Sequence, residues 1–203
     1  MRIIILALAA GLWAYAAQAQ APQVDITLTH NSPAEAATRA QLQRLIGAYD
    51  LSRWTFTHAV AIDERAIPHS HPVLTLHTRH LRDDDLLLST YAHEQLHWWF
   101  ATHQADTEAA IADLRKAYPQ TPTGFPKGSD DETGNYVHLM VVFLEWQADK
   151  ALLGELRARA AMEFWSHDHY TWIYRTVLDD PDPIRAIIQA HHLVPPPAAP
   201  ASH

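Results

Sequence analysis

The sequence contains no cysteine. A chain without thiols has no disulfide bond, no thiolate zinc site and no cysteine nucleophile. A protein of 203 residues buries enough apolar surface to fold without disulfides, so their absence does not argue against export. Any transition-metal site in this chain therefore depends on histidine, aspartate and glutamate side chains.

Basic residues are scarce as well. The chain has 15 Lys and Arg residues against 23 Asp and Glu residues, which gives a formal net charge of −8. An acidic balance of this size argues against a nucleic-acid partner and favours solubility.

Long apolar runs are absent except at the start of the chain. Arg2 precedes an apolar stretch over 3–17, and the stretch ends in Ala17-Gln18-Ala19, which fits a small-x-small cleavage site. The stretch is short for a membrane span and has no stop-transfer flank. We expect 1–19 to be a signal peptide cleaved near Ala19, which predicts a periplasmic or secreted protein without a stable membrane span. An uncleaved N-terminal anchor is the alternative.

The remaining sequence predicts one α+β domain over 20–194 and a disordered Pro- and Ala-rich tail over 195–203. Alternating apolar residues predict three strands, at 24–29, 54–62 and 73–78. Apolar periodicity and capping residues predict helices at 33–49, from 83 through the central motif, and at 106–118, 135–155, 156–178 and 184–191. The expected fold is a small mixed or antiparallel N-terminal sheet followed by a mainly helical C-terminal half.

The most informative stretch is the H-E-x-x-H pattern His93-Glu94-Gln95-Leu96-His97. Asp83-Asp84-Asp85 predicts the start of its helix, because aspartate caps free N–H groups and favours the helix dipole. Residues four apart share a helical face, so His93 and His97 present two imidazoles to one point. Two nitrogen ligands beside a carboxylate predict a zinc site at which Glu94 accepts a proton from bound water. A His-rich helix without metal is the alternative.

The predicted helix over 135–155 is apolar nearly all round and should be buried. Glu145 and Asp149 lie four apart on one of its faces, and a buried carboxylate without a cationic partner is strongly destabilising. A metal held by His93 and His97 would satisfy Glu145, as would an Arg or Lys partner. His138 lies two turns before Glu145. It could support a metal ligand, face the substrate or pack in the core, and the sequence does not decide between these roles.

The two motifs together resemble the zincin metallopeptidases, and specifically the gluzincin branch to which thermolysin belongs. The resemblance covers about 73–153 and rests on H-E-x-x-H followed by the E-x-x-x-D of Glu145 to Asp149. It implies a zincin-like fold with one Zn²⁺ per chain. It also implies the site residues: zinc ligands His93, His97 and Glu145, general base Glu94, and Asp149 holding the tautomer of a ligand histidine, by preference His93.

The family also uses a His or Tyr from the C-terminal half to stabilise the oxyanion. The candidates here, in order, are His169, His167, Tyr170 and Tyr174. By the same resemblance, the strand at 73–78 corresponds to the edge strand on which zincins lay an extended substrate. The 47-residue gap between His97 and Glu145 is longer than in thermolysin and leaves the substrate class open.

His103 is a rival third ligand. It follows His93 by ten residues, which is the spacing of the metzincin metallopeptidases. Metzincins need a glycine where this chain has Phe100, because their helix must stop and turn there. If the helix continues, His103 lies about 15 Å along the axis from His93 and cannot share its metal. Glu145 is therefore preferred over His103.

The sequence thus predicts an exported zinc-dependent metallopeptidase that acts on a peptide or protein substrate. One alternative is a zinc-binding protein of zincin fold without peptidase activity. Another is a zinc amidohydrolase acting on a cell-wall component. The Pro- and Gly-rich segment over 119–133 is interpreted either as a rim or lid of the site or as a surface insertion.

Overall fold

The computed structural model describes residues 22–197. The predicted signal peptide and positions 198–203 of the predicted tail lie outside the described residues. Three strands, β1 (Asp25–Leu28), β2 (Ala59–Ile62) and β3 (Leu74–Leu76), precede most of the helical part. The helices of the described chain are α1 (Pro33–Ala48), α2 (Asp84–Thr102), α3 (Gln104–Ala117), α4 (Glu132–Leu153), α5 (Glu155–Asp168), α6 (Thr171–Asp179) and α7 (Pro181–Ala190). The predicted α+β class is confirmed.

The sheet is parallel, so the prediction of a mixed or antiparallel sheet was wrong. β2 lies between β1 and β3, and both of its pairings are parallel. The reason is the connection: α1 follows β1 and carries the chain back to the start of β2, as a parallel crossover requires. A single antiparallel bridge, between His69 and Thr75, adds the segment before β3 to the outer edge of the sheet.

Local capping chemistry sets the starts of α1 and α2 as predicted. Ser32 and Glu35 form a reciprocal capping box at α1, with Pro33 at the first helical position. The Asp83 side chain accepts a hydrogen bond from the Leu86 N–H and begins α2. Gln95, inside the motif, accepts from two consecutive backbone N–H groups of Phe56 and Thr57, which fixes the chain entering β2.

The C-terminal half departs from the single helix predicted over 156–178. α5 ends at Asp168, and Tyr170 has a left-handed backbone with φ of 48° before α6 begins. Pro181 and Pro183 lie in the first turn of α7, where their missing N–H groups leave no helical hydrogen bond unmade. The turn between α5 and α6 carries His169 and Tyr170 towards the centre of the molecule.

The core is divided between the sheet side and the helical side. One buried cluster joins α1, the strands and one face of α2, and a larger one joins the remaining helices around α4. α2 and α4 pack antiparallel, because His97 lies near His138 while Ser89 contacts Asp149. Within 22–197, no helix combines the length and apolarity that crossing a membrane requires.

Candidate metal centre

Three histidines converge where α2 and α4 cross. His93 and His97 come from the motif on α2, and His138 comes from the second turn of α4. One ligand atom from each lies within 4.8 Å of the other two. Their ring centroids are between 4.9 and 5.6 Å apart. The structure therefore brings together both motif histidines and a third that the sequence left without a role.

The tautomers of two of these rings follow from their outer hydrogen bonds. The Nδ1–H of His93 donates to Glu145 Oε2 at 2.8 Å, and the Nδ1–H of His138 donates to the Gly134 carbonyl at 2.7 Å. A neutral imidazole with a proton on Nδ1 carries a lone pair on Nε2. Both lone pairs are then free for the space between the rings, which is the donor arrangement that a metal cation needs.

The spacing fits tetrahedral zinc. Two nitrogens bound to zinc at about 2.0–2.1 Å with tetrahedral angles lie about 3.3–3.4 Å apart. The Nε2 atoms of His93 and His97 are 3.3 Å apart. Zinc fits this donor set because it accepts three imidazoles and leaves a fourth position for water.

The electrostatic setting keeps the inner nitrogens of His97 and His138 unprotonated. Burial lowers the pKa of His97 well below its usual value and that of His138 to about 3, and neighbouring histidines add to both effects. Burial also opposes a charge on His93, but the adjacent Glu145 carboxylate outweighs it and the pKa of His93 is raised. The Glu145 carboxylate therefore increases the basicity of His93, as a carboxylate behind a metal-binding histidine does.

Glu145 occupies the position behind His93, away from the point where the three rings meet. Besides the His93 N–H it accepts the Ser89 hydroxyl at 2.6 Å and the Tyr174 hydroxyl at 3.0 Å. Its side chain is fully buried, so these three donors satisfy a charge that would otherwise be very costly. Glu145, which the resemblance implied to be a zinc ligand, is therefore the hydrogen-bond partner of His93.

Asp149 was expected to hold His93, but it contacts Ser89 instead. Asp149 Oδ2 lies 2.9 Å from Ser89 Oγ, whose single proton is already directed to Glu145. Both contacts are hydrogen bonds only if Asp149 is protonated and donates to Ser89. Burial, together with the charge of Glu145, accordingly raises the pKa of Asp149 well above its usual value. The raised pKa favours the protonated, neutral form of Asp149 beside Glu145.

Glu94 faces a cavity of about 600 Å³ that opens beside the three histidines. It is 6% exposed, and within the described chain its carboxylate has no hydrogen-bond partner. Burial raises the pKa of Glu94 to about 7, while the neighbouring imidazoles act in the opposite direction. A carboxylate with this pKa exchanges protons readily near neutral pH.

The four oxyanion candidates differ in position. His169 and Tyr170 line the cavity, and the Tyr170 ring lies 4.3 Å from that of His138. Tyr174 also lines it, but its hydroxyl is donated to Glu145. His167 does not line it; this exposed ring contacts the Glu163 carbonyl and Arg175.

His169 is held in place by a chain of contacts that the sequence did not predict. Its Nδ1–H donates to Asp168 at 2.9 Å, and Arg79, just after β3, pairs with both oxygens of Asp168. The hydrogen bond fixes the proton on Nδ1 and leaves Nε2 as the group that can face a ligand. Burial lowers the pKa of His169 despite Asp168, which favours the neutral ring.

Two other expectations concern the surroundings of the site. His103 caps the end of α2, and its Nδ1–H donates to the Trp99 carbonyl, so it lies outside the histidine group. β3 is not a free edge, because Thr75 exchanges both backbone hydrogen bonds with His69. The edge facing the cavity is the segment from Ile67 to Ser70, and Phe125 of the loop after α3 borders it as well.

A second acidic cluster, formed by His30, Glu35 and Asp63, has a structural explanation. Glu35 accepts backbone N–H groups of His30 and Glu64, and His30 Nε2 lies 3.1 Å from Asp63. The cluster surrounds the positive end of α1, where the helix dipole favours carboxylates over a cation. It serves as the cap of α1.

The sequence contained one signal for His138 that spacing alone did not resolve. It precedes Glu145 by seven residues, which is two helical turns, so the two side chains share a face of α4. Which of them meets the metal position depends on the register of α4 against α2, and this is a tertiary property.

Comparison with protein-family models, with curated proteins and with solved structures found no match for this chain.

Proposed function

We propose that this chain is an exported zinc-dependent metallopeptidase of zincin-like fold, with His93, His97 and His138 as its zinc ligands. The observation that carries the proposal is the convergence of three imidazoles beside the unpartnered Glu94 carboxylate in a wide cavity. Export rests on the N-terminal sequence alone.

The ligand set differs from the one that the gluzincin resemblance implies. His138 replaces Glu145 as the third ligand, and Glu145 orients His93 as a carboxylate does in many histidine metal sites. Three neutral imidazoles leave the ion its full positive charge, and the nearby Glu145 carboxylate offsets part of it without coordinating. This arrangement retains the fourth position for water or substrate.

Each residue then has a chemical task. Bound zinc supplies a Lewis acid that polarises a carbonyl and lowers the pKa of its water. Glu94 accepts the proton of the attacking water and passes it to the leaving amine. Tyr170 lies on the cavity wall, where hydrogen-bond donation from its hydroxyl to a developing oxyanion would be effective. The neutral His169 ring gives its N–H to Asp168 and offers the cavity an acceptor at Nε2.

The test separates zinc binding from catalysis. Glu94→Gln should keep one zinc per chain and lose cleavage of a mixed peptide library by at least 100-fold, because the amide cannot accept the proton. Glu108→Gln, a change of the same kind on the exposed face of α3, is the control and should cleave like the wild type. Undiminished cleavage in Glu94→Gln would exclude this mechanism. Zinc without cleavage in the wild type would identify a binding protein instead.

A further inference from the structure

A second, smaller cavity lies on another face of the α4 region. It has a volume of about 250 Å³ and is enclosed by the turn at Ser52–Trp54, the middle of α4, α7 and Val194. None of its lining residues belongs to the histidine cavity. Whatever enters it therefore binds independently of the proposed zinc site.

The charge of this cavity is opposite to that of the chain. Arg53 and Arg185 line it together with Gln147 and Gln189, and among residues 22–197 no carboxylate does. The whole chain carries a formal net charge of −8, so two guanidinium groups without a lining acid are a local reversal of sign. Such a pocket attracts anions and repels cations.

Arg53 has an unmet hydrogen-bonding requirement. Its Nη2 donates to the Pro195 carbonyl at 2.9 Å, and its guanidinium lies 4.8 Å from the centre of the Trp54 ring. Its Nε is buried and, among the described residues, has no partner. A buried charged donor without an acceptor is unfavourable, and an anion beside the guanidinium would offset part of that cost through its charge.

Arg185 complements it from α7. Its Nη1 pairs with Asp182, and its guanidinium lies 5.9 Å from the centre of the Phe143 ring. Asp182 is held on the same helix and does not line the cavity. Arg185 therefore has further N–H donors that a second acceptor can use, and a planar carboxylate matches the fork of a guanidinium.

The other walls are apolar. Trp54, Phe143, Leu144, Ile188 and Val194 enclose the space between the two arginines. Since a water molecule takes about 30 Å³, the volume suits a ligand of fewer than about ten non-hydrogen atoms. An inorganic anion would leave the apolar walls without contacts, whereas a neutral apolar molecule would leave the arginines without acceptors.

We infer that this cavity is a binding site for a small carboxylate with an apolar body, separate from the zinc site and independent of the proposed peptidase activity. The carboxylate binds between Arg53 and Arg185, and the apolar body contacts Trp54 and Phe143.

Benzoate is the probe, and benzamide, which has the same shape without charge, is its control. Isothermal titration of the full-length protein with benzoate should show one saturable site. Benzamide should bind at least tenfold more weakly. Arg53→Gln and Arg185→Gln should each weaken benzoate binding at least tenfold. Arg159→Gln, at an exposed arginine of α5 that pairs with Glu163, should leave it unchanged.

Two variants guard against misfolding, because Arg53 also bonds Pro195 whereas Arg185 does not. Benzoate is itself a zinc ligand, so the titration is repeated with His138→Ala, which should bind it as the wild type does. Absence of saturation at 20 mM, equal binding of benzamide, or loss of binding only in His138→Ala would each overturn the inference.

Discussion

At the scale of single residues, the proposed chemistry depends on which side chain of α4 faces the metal position and which one holds a histidine of α2. His138 and Glu145 share a face of α4, and both are available to α2. Only the outer hydrogen bonds separate them: Glu145 bonds the Nδ1–H of His93, whereas His138 bonds a carbonyl and keeps Nε2 free. Sequence reasoning found the polar residues on this helix, but could not assign their roles because these depend on side-chain direction.

The protonation of the buried acids gives a paired prediction. Glu145→Gln removes the charge that raises the basicity of His93, so zinc affinity should fall about 10–100-fold. Asp149→Asn should change affinity less than threefold, since its amide can donate to Ser89 in place of the protonated carboxyl. Competition with a zinc chelator measures both. A larger loss in Asp149→Asn than in Glu145→Gln would contradict the assignment of charge.

His80 gives a prediction on pH. Burial, aided by the charge of Arg79, lowers the pKa of His80 from 6.5 to about 4. Between these values the unfolded chain binds a proton that the folded chain excludes, so stability falls as the pH drops from 6.5 towards 4. The slope from this residue is at most about 1.4 kcal/mol per pH unit.

Removing the imidazole should remove that contribution. The free energy of unfolding of His80→Gln, measured with urea at several pH values, should depend less steeply on pH than that of the wild type over this range. Identical pH dependence in His80→Gln and wild type would show that His80 is protonated alike in both states.

At the scale of elements, the starts of α1 and of the motif helix α2 were predictable because caps and periodicity are local. The parallel sheet was not, since alternation reports one buried face and says nothing of strand direction. The break at Tyr170 was missed because nothing in the local sequence demands a left-handed residue there. The segment over 119–133 is part of the cavity wall through Phe125, Gly128, Ser129 and Asp130.

Two glycines test how tightly this wall is built. A Cβ at Gly128 would lie 2.1 Å from the Pro122 carbonyl oxygen and 2.5 Å from Asn135 Oδ1, whereas one at Gly47 in α1 meets nothing within 4 Å. Gly128→Ala should therefore destabilise the protein by about 1–3 kcal/mol. Gly47→Ala should stabilise it by about 0.5 kcal/mol. Urea unfolding compares them, and equal stability of the two variants would contradict the packing of the segment.

At the scale of the molecule, the cavity beside the three histidines is built from the helical core together with distant segments of the chain. The large helical cluster packs around α4, whose buried apolar residues fix the register that aligns His138 and Glu145 with α2. The segment before β3 forms another wall of the cavity through Ile67 and His69. The sequence predicted two elements of the centre, the motif and a polar face on a later helix. It could not predict the cavity, which forms only when distant segments meet.

The measurement that tests the account most directly is the zinc content of the purified protein together with X-ray absorption of the bound metal. The account predicts one zinc per chain, coordinated by three imidazoles and one oxygen from water, and loss of that zinc in His138→Ala. Zinc coordinated by two imidazoles and a protein carboxylate, and retained in His138→Ala, would contradict it.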